Sequence, residues 1–107
     1  MKHRLLTQEE VESVSARLPQ WSCGESVLTR EFTFSDFEEA FGFMVSVAEV
    51  AKSLDHHPDW CNSWNQVSVS LSTHSAGGLT VLDLSLAEAM ETVAANFAVR
   101  LDHTGET

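Results

Sequence analysis

The sequence predicts an α+β fold, an antiparallel four-stranded sheet with three helices packed on one face. Three observations predict it. Thr7-Gln8-Glu9-Glu10 and Ser35-Asp36-Phe37-Glu38 both have the form of a capping box, in which a hydroxyl side chain and an acid three residues on satisfy each other's backbone N–H groups at a helix start. Val67, Val69 and Leu71 alternate with Ser68, Ser70 and Ser72, the period of a strand with one covered face. Leu82, Leu86, Met90, Val93, Phe97 and Leu101 recur at the spacing of a helix that buries one side.

The first helix is expected from Gln8 to Leu18, stopped by Pro19, with Val11, Val14 and Leu18 inward and Leu6 and Val11 as a hydrophobic staple. Trp21 to Cys23, the turn at Gly24-Glu25 and the β-forming run Val27 to Phe34 read as a hairpin, with Leu28, Phe32 and Phe34 on one face. Arg30 shares that face, and the plain expectation for it is a solvated or snorkelling side chain. The second helix follows the second capping box and runs to about Leu54. Phe37, Ala40, Phe41, Met44, Val45 and Ala48 form its apolar stripe, expected to be core. Phe43, Val47 and Val50 widen it enough to suggest a second covered face, against another subunit. Pro58 and Asn62-Ser63 mark irregular backbone, and a strand then spans Gln66 to Thr73. Thr80 is placed to cap the last helix with Asp83 as its acidic partner, and the polar tail from Asp102 is expected to fray. The element order is helix, hairpin, helix, strand or strands, helix.

A chain of 107 residues with 43% apolar and 21% charged residues is one ordinary globular domain, residues 1–107. Its net charge of −10 repels nucleic-acid phosphate, and no basic stripe offsets it. No apolar run approaches the ~20 residues of a membrane span, and Met1 to Glu10 has no signal-peptide core. The two cysteines, Cys23 and Cys61, match no metal spacing, so a reducing cytoplasm is the expected compartment.

The chemistry-bearing stretch runs from Lys52 to Asp83. It holds three of the five histidines, His56, His57 and His74, among Pro, Trp and Gly, while His3 and His103 lie near the ends. Histidine is the side chain whose unperturbed pKa lies nearest neutrality, so three of them point to proton transfer or a metal. Taken singly, each residue has a plainer reading: Trp60 and Trp64 as packing residues and Asp83 as a helix cap. A straight strand from Trp64 to His74 would span about 33 Å, so bringing the histidines together requires the segment around Pro58 to Ser63 to fold back.

The spacing Lys52, three residues, His56-His57-Pro58, five residues, Trp64, nine residues, His74, eight residues, Asp83 resembles the motif of the pterin-4a-carbinolamine dehydratase family. Pro58-Asp59-Trp60, Thr73-His74 and Gly78-Leu79-Thr80 look like the family's intervening text, and the resemblance covers nearly the whole chain. Two positions depart from it. Lys52 stands where the family most often has a carboxylate, and Trp64 replaces the commoner Tyr.

The resemblance implies loss of water from 4a-hydroxytetrahydropterin, giving the quinonoid dihydropterin, with no cofactor and no metal. It implies His56, His57 and His74 as catalytic candidates, with His57 foremost, and Pro58, Trp60, Trp64, Thr73 and Asp83 as substrate-binding. Lys52 is placed behind His56 rather than against substrate. The wide stripe of the second helix and the exposed edge of a small sheet suggest a homodimer or homotetramer, charge and hydropathy argue against direct nucleic-acid or membrane contact, and the resemblance implies a place beside an aromatic amino acid hydroxylase pathway. The alternative is a dimerisation or assembly partner on the same fold, since the resemblance extends to such members. A three-histidine zinc site is a third reading, weakened because adjacent His56 and His57 diverge on regular backbone.

Overall fold

The structure, a computed structural model, describes the backbone of residues 3–105 and side-chain surroundings up to Phe97. The elements are α1 (Gln8–Arg17), β1 (Ser22–Cys23), β2 (Leu28–Thr33), α2 (Phe37–Leu54), β3 (Asp59–Ser63), β4 (Gln66–Leu71) and α3 (Val81–Gly105), with one 3₁₀ turn at His74–Ala76. The sheet is antiparallel throughout, in the order β1-β2-β4-β3. This is the α+β arrangement the sequence predicts.

The alternation in β4 sets the layers. Val67, Val69 and Leu71 are buried, opposite Phe32, Arg30 and Leu28 of β2. The other face carries Thr29, Glu31, Ser68 and Ser70 and faces away from the core. The core is closed by Val14 of α1, Phe43 and Val47 of α2, and Leu86 and Met90 of α3. Phe43 stacks obliquely on Phe32 and Phe34, with centroids 4.7 and 5.0 Å away. Gly42 allows α2 to meet α3, because a Cβ there would stand 3.2 Å from Phe97 Cζ.

The first capping box forms as expected. Thr7 Oγ1 accepts from Glu10 N–H at 3.1 Å, and Glu10 Oε1 accepts from Thr7 N–H at 2.8 Å. The hydrogen-bonded Arg4 guanidinium, aided by the Thr7 N–H, lowers the Glu10 carboxyl from 4.5 to about 2.

Several expectations are corrected. The second cap is displaced by one residue: Asp36, not Ser35, accepts from a backbone N–H, that of Glu39 at 2.9 Å, and Ser35 donates to the Glu39 carboxylate. Both registers satisfy the same pattern, and the helix that starts at Phe37 selects Asp36. The buried side of α2 is Ala40, Phe43, Val47 and Ala51, while Phe37, Phe41 and Val45 are about half exposed. Asn62 and Ser63 are strand rather than irregular backbone, in an edge strand whose residues Asp59, Trp60, Cys61, Asn62 and Ser63 lack an alternating apolar pattern. The following strand ends at Leu71 rather than Thr73.

Arg30 is not a solvated side chain. It donates from Nε to Glu91 Oε2 at 2.5 Å and lies 3.9 Å over the Phe32 ring; Trp21 Nε1 donates to the same carboxylate oxygen at 2.7 Å. α3 continues through Asp102 to Gly105; the inward place expected for Leu101 lies outside the described side chains.

Candidate active site

The end of α2 builds the first part of the site. Asp55 adopts the left-handed conformation (φ 53°, ψ 43°), which Asp tolerates better than most residues. The His56 N–H then returns to the Ala51 carbonyl at 3.0 Å, a Schellman-type closure. The helix therefore does not continue far enough for Lys52 and His56 to share a helical face. Lys52 is exposed, while His56 is turned inward and only 8% exposed.

Buried beside His56 is Asp83, from the first turn of α3. His56 Nε2 lies 2.7 Å from Asp83 Oδ1. Asp83 Oδ2 accepts from Thr73 Oγ1 at 2.8 Å and from the Thr80 N–H at 2.9 Å, and the Thr73 and Thr80 hydroxyls are 2.8 Å apart. Asp83 and Thr80 are fully buried and Thr73 nearly so, so every polar group of this cluster depends on its protein partners.

The hairpin β3–β4 supplies the rest. It reverses at Trp64-Asn65, not around Pro58 to Ser63, with Trp64 in the left-handed region (φ 49°). Asn62 Nδ2 braces the turn by donating to the Trp64 and Gln66 carbonyls at 3.0 and 2.9 Å. The reversal sets Asp59, at the start of β3, opposite Ser70 near the end of β4. Beyond β4, Thr73 pairs with Gly78 across a small loop, and Gly77 (φ 79°) takes the conformation that closes the 3₁₀ turn. His74 opens that loop, with Nε2 3.5 Å from Asp59 Oδ2.

The three histidines are thus brought to one end of the sheet. A circuit of contacts and short chain segments joins them: His56 to Asp83, Asp83 to Thr73, the next residue His74 to Asp59, and back through Pro58 to His57. His56 is buried; His57 and His74 are exposed.

The expected substrate-binding residues divide. Pro58 and Trp60 are half-buried at this end, Trp60 opposite Val69 and packed on the core. Thr73 and Asp83 lie behind His56 rather than open to solvent. Trp64 is 66% exposed at the other end of β3, roughly 16 Å from Asp59 at ~3.3 Å per residue. Asp59 and Thr80 join the site without having been singled out for it. Their signals were the proline before Asp59 and the three-residue spacing from Thr80 to Asp83.

An open concavity of ≈ 730 Å³ adjoins the site on the uncovered face of the sheet, bordered by Asp59, Trp60, Cys61, Ser68 and Ser70. Another of ≈ 620 Å³ lies between β2 and α3 around Phe34 and Phe97, and no histidine lines either one. Among the described residues no three His, Cys, Asp or Glu side chains are grouped to hold a metal ion. Both cysteines are free, and burial pushes the Cys23 thiol up.

The domain is an antiparallel α+β fold with three histidines at one sheet end, one of them backed by a buried carboxylate. The sequence profile of the pterin 4 alpha carbinolamine dehydratase family matches residues 4–93. A Bradyrhizobium protein provisionally named a pterin-4-alpha-carbinolamine dehydratase is 49% identical over 100 residues, covering 92% of this chain and all of that one. A Prochlorococcus marinus protein with the same provisional name is 42% identical over 93 residues, covering 87% and 97%. The crystal structure of a transcriptional coactivator/pterin dehydratase from Brucella melitensis superposes with a TM-score of 0.80 at 43% identity, covering 85% of this chain and 99% of that one. A pterin dehydratase-like RuBisCO assembly factor of the alpha-carboxysome shares the fold alone, with a TM-score of 0.57 at 16% identity. The chain belongs to the pterin-4-alpha-carbinolamine dehydratase family.

Proposed function

We propose that this chain is a carbon–oxygen lyase that removes water from a 4a-hydroxytetrahydropterin and releases the quinonoid dihydropterin, its histidines moving the protons. The observation that carries the reading is the circuit linking His56, Asp83, Thr73, His74 and Asp59. The 4a-hydroxyl leaves as water only if it receives a proton. The N5 lone pair expels it, and the proton on N5 must pass to a base. Groups that titrate near neutrality suit both transfers. No electrons are gained or lost overall, so the step itself calls for no redox cofactor.

His57 and His74 are exposed and able to meet substrate, and His57 is assigned the essential transfer. Pro58 and Trp60, half-buried at the histidine end, offer an apolar edge for a flat ring. A direct assay of carbinolamine dehydration tests the reading. The expected result is a rate that rises in proportion to protein concentration; a rate no higher than the spontaneous one at micromolar protein would exclude it. An aromatic amino acid hydroxylase pathway as the source of substrate rests on the family resemblance alone. Two free cysteines fit a cytoplasmic setting.

A second reading, an interaction role, has an observation of its own. Phe37, Phe41 and Val45 are 47%, 52% and 55% exposed on one side of α2, with the two rings 5.7 Å apart. Such a row is a contact surface more often than a solvated one, and we assign it to a second copy, in a homodimer or homotetramer. A solution mass near 11.8 kDa at micromolar concentration would exclude this.

A further inference from the structure

We propose that a one-way chain of hydroxyl hydrogen bonds, from Thr80 through Thr73 to Asp83, fixes the tautomer of His56 and leaves Nδ1 as its working nitrogen. Thr73, Thr80 and Asp83 are then positioning residues that act through His56. The part concerning catalysis rests on the dehydratase reading; the part concerning the tautomer does not.

The direction follows from counting protons. A threonine hydroxyl has one proton to donate. Thr73 gives its proton to Asp83 Oδ2. In the 2.8 Å contact between the two hydroxyls the shared proton must then come from Thr80. Thr80 Oγ1 in turn accepts from the Leu82 N–H at 3.2 Å. The opposite direction would place a proton on Asp83 Oδ2 and turn Thr73 toward Thr80. The Thr80 proton would then have no acceptor at a fully buried residue, which costs about 1–3 kcal/mol.

With two donors on Oδ2, the carboxylate has Oδ1 left to accept, and His56 fills it by donating from Nε2. A neutral imidazole with its proton on Nε2 has a bare, accepting Nδ1. His56 Nδ1 makes no hydrogen bond to the described residues, yet no buried side-chain nitrogen or oxygen among them lacks a partner. Nδ1 therefore reaches the surface. The 8% of His56 that is exposed includes the nitrogen that can take a proton from substrate or receive a substrate hydrogen bond.

The polarity also explains why two threonines stand here. Valine would match either in shape but could not relay a proton. Serine could.

Long-range ¹H–¹⁵N NMR on the intact protein reads the tautomer directly. The expected result at neutral pH is a His56 with N–H at Nε2 and a bare Nδ1, its signals assigned by their loss in His56→Gln. Asp83→Asn should invert the tautomer: the Thr73 hydroxyl and the Thr80 N–H hold the amide oxygen at the Oδ2 position, the amide N–H₂ faces His56 Nε2, and the imidazole proton moves to Nδ1. The value of kcat should fall by roughly 10- to 10²-fold, as when a catalytic group is displaced. A wild-type His56 carrying its proton on Nδ1 would overturn the proposal, and this holds even if Asp83→Asn fails to fold. A folded Asp83→Asn with unchanged tautomer and rate would also overturn it. If the tautomer inverts in Asp83→Asn while the wild type shows no dehydration, the hydrogen-bond chain stands and the proposed function falls.

Discussion

The two ends of the β3–β4 hairpin are built on opposite terms. At the histidine end the polar groups behind His56 are buried, and each bond is answered: Asp83 accepts three donations, from His56, Thr73 and the Thr80 backbone. At the turn end a bulky residue, Trp64, holds a left-handed conformation while two-thirds exposed. A side chain in that region strains the backbone by about 1–3 kcal/mol. The first end is a place where orientation is fixed by satisfied hydrogen bonds. The second is a place where the chain must reverse, and Asn62 holds it there through two carbonyls. The motif spacing includes residues from both ends, and the fold separates them.

Substitutions at the two ends should therefore behave differently. Asp83→Asn is expected to show the largest loss. Its oxygen can still answer Thr73 and the Thr80 N–H, but its amide N–H₂ then faces His56 Nε2, so the imidazole must give up its preferred tautomer or leave a buried donor unanswered, which should destabilise by about 1–3 kcal/mol in chemical denaturation. A loss below 0.5 kcal/mol, an estimate set by ordinary surface substitutions, would mean the cluster is not rigidly held.

Trp64→Gly should move stability the other way. Glycine adopts positive φ without steric cost, and relief of strain should outweigh the added freedom of the unfolded chain. A gain of up to about 1 kcal/mol is expected, read as a higher melting temperature. A clear loss would show that the indole makes a contact worth more than the strain.

Asp59→Asn should have the smallest effect. Its ion pair with His74 is long, at 3.5 Å, and both side chains are more than three-quarters exposed. An exposed pair of this kind contributes about 0–1 kcal/mol. The substitution sharpens the contrast within the histidine end itself, between a carboxylate that is fully buried and one that is in water.

Much of this was legible in the sequence. The Thr7 cap, β4 and α3 followed from local patterns that no tertiary contact overrides. The inward face of α2 did not follow, because the helix is apolar on both sides; periodicity cannot tell which of Phe41 and Phe43 meets the sheet. β3 was hidden by its composition, since an edge strand packs on one neighbour and tolerates Asp, Asn and Ser. The Arg30–Glu91 contact joins residues 61 apart, beyond any local pattern. At the site, the motif and its flanking residues singled out His56, Asp83 and Thr73 but not their relation. Asp83 and Thr73 had the residue types of substrate contacts, and only burial shows that they face His56 instead. The reversal at Trp64 was unreadable because tryptophan is a poor residue for left-handed backbone.

The rate of carbinolamine dehydration by His57→Ala and Trp64→Ala, measured beside the wild type on one pterin substrate, tests the account most directly. His57→Ala should lower kcat by about 10²- to 10⁴-fold with folding intact, the usual range for losing one general acid or base. Trp64→Ala should change it by less than about threefold, under 1 kcal/mol of barrier. Equal losses at the two positions, or a greater one at Trp64, would contradict the assignment of the chemistry to the histidine end.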